Sequence, residues 1–214
     1  MSAVTTAARE NYHHGDLRHA LLSAGIEMAR DGGPDAVVLR EATRRVGVSP
    51  NAAYRHFADR DALLTAVSDE CLARLATAIE SLLATIPSGS DETVARAQLR
   101  AVGTEYVAFA LDEPGLFRTA FSVPPSLERR AAPSKAGPSG HSPLGLLGAA
   151  LDQFVASGIM PPSRRPQAEF LAWSSVHGFA MLCIEGPLRA LPREEVDGVT
   201  QRVIDMVEAG LTAP

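Results

Sequence analysis

Lysine is almost missing from this chain: Lys135 is the single lysine among 20 basic residues, and the rest are arginine. The skew fits a GC-rich bacterial genome and carries no mechanism. Cysteine is nearly as rare. Cys71 and Cys183 lie far apart in the chain, so neither a disulfide framework nor a zinc module is implied, and two reduced, buried thiols are expected. No apolar run reaches the roughly 18 residues that span a bilayer. The start, "MSAVTTAARENYHHGDLR", lacks a basic segment followed by an apolar one, as a secretory signal would need. A cytoplasmic protein with no membrane partner is expected. Strand signals are missing too: nowhere do apolar and polar residues alternate with β-branched enrichment, whereas helical spacing recurs along the chain. The expected fold class is all-α.

What is present is a chain of 214 residues, 46% hydrophobic and 21% charged, long enough for a sizeable core. The formal charge of −5 is unevenly spread: residues 1–57 hold seven Arg against six Asp and Glu, a net +1, and the remainder carries −6. A head of that kind on an acidic body suits contact with phosphate at one end only. Helices are expected over about 16–30, 39–46, 50–56, 59–83, 92–111, 143–157, 167–185 and 194–210, with a short aromatic helix after Pro114. Residues 124–143, "PPSLERRAAPSKAGPSGHSP", are dense in Pro, Ser and Gly and read as a mobile loop.

The stretch "VVLREATRRVGVSPNAAYRHF", residues 37–57, has the grammar of a helix-turn-helix. Leu39, Ala42 and Val46 face inward, Gly47 supplies the positive φ of a tight helix exit, Ser49 caps the second helix and Pro50 opens it. The second helix of such a pair fits the major groove. Arg40, Arg44 and Arg45 would lie against phosphates, where counterion release makes each contact salt-dependent. Asn51 suits adenine, Ala52 a thymine methyl, and Arg55 guanine or phosphate. One such helix discriminates too little to mark a genomic site, so two half-sites read by a dimer are expected.

"GVSPNAAYRHFADRDALLTAV" resembles the TetR family of bacterial transcriptional regulators, and "YHHGDLRHALL" one subgroup of it. "YVAFALDEPGLFRTAF" and "AWSSVHGFAMLCIEG" resemble the C-terminal ligand-binding domain of that subgroup, named for a Trp-His-Gly motif, here Trp173, His177 and Gly178. The resemblance implies a helix-turn-helix domain over 1–57 and a helical ligand-binding and dimerisation domain over 58–214, with residues 58–85 as the connecting helix. It implies a repressor that binds a palindromic DNA operator as a homodimer and is released by a small, largely apolar ligand. By position, Tyr54 and His56 would touch phosphates, as would Arg60, which stands where the family usually has Lys. Val38 replaces the usual Ser or Thr N-cap, and Thr43 replaces an alanine and is expected to add a bond near DNA.

In the body, Trp173, His177 and Met181, with Phe109, Phe117 and Phe121, are candidate walls of an apolar pocket with one polar handle. Leu171, Ser175, Gly178 and Leu182 form a narrower face that a partner helix could approach, joined by Val196, Val199, Val203 and Met206 from the last helix. No cofactor is expected. His13, His14 and His19 lack a fourth ligand for a metal site. One alternative is a thiol-based redox response through Cys71 or Cys183. A remoter one is a hydrolase built on Ser174, Ser175 and His177, for which no nucleophile elbow or orienting acid can be identified.

Overall fold

A computed structural model describes residues 14–89, 91–123 and 133–213, with side chains from Leu17 onward. Every regular element among them is helical. In chain order these are α1 (His14–Gly32), α2 (Leu39–Val46), α3 (Pro50–Tyr54), α4 (Arg60–Leu83), α5 (Glu92–Asp112), α6 (Pro114–Ala120), α7 (Pro143–Ala156), α8 (Ala168–Ile184) and α9 (Arg193–Thr212). Short 3-10 turns occur at Pro34–Ala36, Pro133–Lys135 and Pro162–Arg164. No helix among the described residues is long and apolar enough to cross a membrane.

The caps explain the boundaries. Gly47 closes α2 in the left-handed region at φ 75°, donating to Arg44 O and Thr43 O. Ser49 accepts from Ala52 N at the start of α3, and Asp59, Asp91 and Ser142 do the same for α4, α5 and α7. Val38 opens α2 with no side-chain cap. Burial of Leu39 and Ala42 against α1 holds that helix instead.

The elements form one connected core. α1 and α4 pack on each other through Leu21, Leu63 and Val67, so the head rests on the first turns of the long helix. α4 then runs through the body, in contact with α5, α6 and α7, while α5 packs on α8 and α9. The tightest approach joins α6 to α1: a Cβ at Gly115 would stand 2.3 Å from Ala29 O and 2.4 Å from Arg30 O. Arg30 Nε also donates to both Glu113 oxygens, at 3.2 and 3.0 Å. Head and body are therefore bound at two places, α4 and the start of α6.

The Pro-rich stretch departs from expectation over its second half; residues 124–132 lie outside the described residues. Pro133–Lys135 packs along α4. Ser134 donates to Asp69 Oδ2 at 2.8 Å, and Ser139 Oγ donates to Glu80 Oε1 at 2.7 Å. Local composition indicated no regular structure, but it did not reveal that two carboxylates on α4 would receive this segment.

Candidate functional site

Two regions bring together the residues singled out from the sequence. The first is the outer face of α2 and α3. Arg40, Arg44, Arg45, Ser49, Pro50, Asn51, Tyr54, Arg55 and Arg60 are all exposed, and Tyr54 is 56% exposed, far beyond what a tyrosine in a core would show. Ala52 and His56 are half-buried. Two arginines of α2 are leashed: Arg44 Nε and Nη2 and Arg45 Nε all donate to Glu41. Hydrogen bonds from Arg44 first, then Arg45, hold the Glu41 carboxyl down to about 2, so it stays ionised beneath the arginines at neutral pH. Exposed pairs of this kind are weak, and phosphate can replace Glu41 as partner.

Two expected contacts are placed otherwise. Thr43 falls one turn after Leu39 on the inward stripe, is buried, and donates to Leu39 O at 2.7 Å. Its hydroxyl does not face outward, which corrects the bond expected near DNA. Arg60 spends much of its guanidinium on Val37 O and Pro34 O, at 2.9 and 2.8 Å. It pins the turn before α2 to the start of α4, a job the planar fork does better than an ammonium.

The second region is a cavity of about 630 Å³ in the body. α4 contributes Ser68, Asp69 and Leu72; α5 contributes Leu99, Val102, Gly103 and Tyr106; Ala120 ends α6, and Phe121 and Val123 follow it; Lys135 and Ser142 precede α7; and α7, α8 and α9 supply the remaining wall. The walls are mainly apolar, as small-molecule sites usually are. Of the six residues expected to line a pocket, Phe121, Trp173 and His177 do so. Phe117 is fully buried behind the wall, its ring stacked on His177 at 5.6 Å. Phe109 is core, one turn beyond Tyr106, and Met181 lies one turn beyond His177, past the last α8 residue of the wall. Helical spacing picked out three residues of the wall but not how far along each helix the cavity extends.

The polar features of the wall were mostly missed. Tyr106 accepts from Trp173 Nε1 at 2.8 Å and lies 2.8 Å from His177 Nδ1. Burial pushes its phenol well above the usual range and holds the His177 imidazole below its own. At another part of the wall, Lys135 Nζ lies 4.0 Å from Asp69 Oδ1, both side chains about one-tenth exposed. An aspartate at an inward position of α4 and the chain's single lysine were visible signals. Neither could be paired without the fold.

The thiols are inert in position. Cys71 is fully buried and burial pushes its pKa up to about 12; Cys183 is buried and raised for the same reason. Ser174 and Ser175 both donate back to Leu171 O, and His177 is engaged by Tyr106, so neither of these serines pairs with His177. His13 and the side chain of His14 lie outside the described residues. Among the described ones no group of three acidic, His or Cys side chains is placed to hold a metal.

On α8 and α9 the face expected to meet a partner is only partly as read. Leu171, Leu182 and Met206 are exposed at 64%, 45% and 61%, Gly178 is exposed, and Ser175, Val199 and Val203 are half-buried. Val196 is packed inside the protomer, 3% exposed. It shares the inward side of α9 with Thr200 and Ile204, so the outward stripe begins a turn later.

Comparison with known proteins places these features. Residues 21–67 match the family described as bacterial regulatory proteins, tetR family, and residues 99–207 match the tetracyclin repressor-like C-terminal domain. Comparison with curated protein sequences gave no significant match. Among solved structures, a protein with unknown function from Rhodococcus sp. RHA1 is 30% identical, with a TM-score of 0.72 over 95% of this chain and 100% of that one. A TetR variant from Acinetobacter baumannii AYE in complex with minocycline is 18% identical, with a TM-score of 0.60 over 96% of each chain. A TetR-family transcriptional regulator from Pectobacterium atrosepticum is 20% identical, with a TM-score of 0.59 over 96% of this chain and 99% of that one. With the helix-turn-helix at one end and the matched C-terminal domain enclosing a cavity at the other, the chain belongs to the TetR family of DNA-binding transcriptional regulators.

Proposed function

We propose that the protein is a repressor that binds a palindromic operator as a homodimer and leaves it when a small, largely apolar molecule fills the body cavity. The observation that carries this reading is that α4 both supports the helix-turn-helix through Leu63 and Val67 and lines the cavity through Ser68, Asp69 and Leu72. A shift of α4 caused by an occupant moves the head directly. α6 offers a parallel route, since Ala120 lines the cavity while Gly115 is wedged on Ala29 and Arg30. Half-sites one turn apart fix the separation of two recognition helices at about 34–36 Å, so a small tilt weakens binding. A coupling of about 1–3 kcal/mol gives a roughly 5- to 150-fold change.

Arg40, Arg44, Arg45, Tyr54 and His56 serve as phosphate contacts in this reading, and Asn51, Ala52 and Arg55 face the bases. The apolar side chains exposed on α8 and α9, Leu171, Leu182 and Met206, meet their copies in the partner to form a four-helix interface. The test is operator affinity with and without a cavity ligand found by its effect on Trp173 fluorescence. Release of at least several-fold is expected; equal affinities in the two states would refute the coupling.

A further inference from the structure

The indole Nε1–H of Trp173 can only donate, so its 2.8 Å contact makes the Tyr106 oxygen the acceptor. The phenol has one proton, and its other partner, at 2.8 Å, is His177 Nδ1. If Nδ1 also donated, the buried Tyr106 proton would be stranded without an acceptor, at a cost the donating arrangement avoids. Nδ1 is therefore bare, and the neutral ring carries its proton on Nε2. Phe117 stacks on the ring at 5.6 Å and Phe121 meets it edge-on at 4.9 Å, which locks its orientation. His177 thus presents a preset donor in a mainly apolar wall. Ser68 and Ser174, also on the wall, have spent their protons on Ala120 O and Leu171 O. The charged wall groups, Lys135 and Asp69, face each other at 4.0 Å.

We infer that the cavity takes an uncharged, mostly apolar ligand bearing a hydrogen-bond acceptor, a carbonyl or ether oxygen, that receives the His177 Nε2 proton. The inference rests on the cavity being the effector site. A carboxylate would have to compete with Asp69 for Lys135. An ammonium would bring a further donor to a histidine that already offers one.

Trp173 is the only tryptophan in the chain and lines the cavity, so its fluorescence reports occupancy in the unaltered full-length protein. The probes are undecane, undecan-2-one, undecanoate and undecylammonium, alike in chain length and different in headgroup. Undecan-2-one is expected to bind about five- to tenfold more tightly than undecane, the increment of one hydrogen bond, and more tightly than either ion. His177→Leu should bring the ratio of ketone to undecane affinity to about one, whatever it does to either affinity alone. His177→Gln, whose amide restores an N–H, should regain part of the preference. The headgroup ranking itself needs no variant and so does not depend on either one folding. Equal affinity for ketone and alkane overturns the inference. So does undecanoate binding tightest with an advantage that Lys135→Met removes, which would make the cavity an anion site. Silence from all four probes in protein that still binds DNA rejects the effector site as well as the donor.

Discussion

Glu41 is a carboxylate bonded to Arg44 and Arg45 on the surface proposed to face DNA. In the proposed reading, a negative charge there opposes phosphate and holds both guanidinium groups until DNA displaces it. Replacing it by Gln keeps the side-chain size and removes the charge, so Glu41→Gln should tighten DNA binding about two- to tenfold at moderate salt. Fluorescence anisotropy on a fixed duplex measures this; unchanged affinity would mean that Arg44 and Arg45 do not reach phosphate. The cysteines behave oppositely. With Cys71 pushed up to about 12 by burial and Cys183 raised likewise, the thiolate fraction at neutral pH is negligible. A maleimide reagent should label neither in the native protein and both after denaturation, and rapid native labelling would revive the redox alternative.

Between elements, the decisive contact is α6 on α1. Gly115 touches two backbone carbonyls, which cannot rotate aside as a side chain does. Gly115→Ala should therefore cost about 1–3 kcal/mol, the range for overpacking, seen as a lowered midpoint in thermal or urea unfolding. Full stability would mean that α6 can slide on α1 without penalty. This glycine also marks what the sequence could and could not disclose. Helix ends were legible because caps are local: Ser49, Asp59 and the Gly47 exit each act within one turn. The wedge of Gly115, the Ser134 bond to Asp69 and the Tyr106 hub join residues tens of positions apart, and periodicity names the face of a helix without naming its neighbour. Thr43 and Val196 were misplaced for a related reason. Each lies at the margin of a stripe, where one turn decides between inward and outward.

For the whole molecule, dimerisation decides whether a weak reader becomes a specific one. α3 offers few base-reading side chains, and one bidentate contact is worth about 1–3 kcal/mol, so affinity for a genomic site needs two heads held in register. Leu171, 64% exposed and engaged in no packing within the protomer core, should tolerate Leu171→Glu without loss of helix content. Sedimentation or light scattering should find that variant monomeric where the parent is dimeric, with DNA binding reduced to the salt-sensitive, sequence-independent kind. A dimer that survives the change would move the interface off α8.

The most direct measurement is selection of bound sequences from random duplexes with the purified protein at two salt concentrations. A dimeric family regulator with two helix-turn-helix heads should enrich a two-fold symmetric consensus, its half-sites about one helical turn apart, and keep that preference as salt rises even while affinity falls. Recovery of no consensus, with binding that vanishes at the higher salt, would contradict the account and leave α2 and α3 a phosphate-binding surface without an operator.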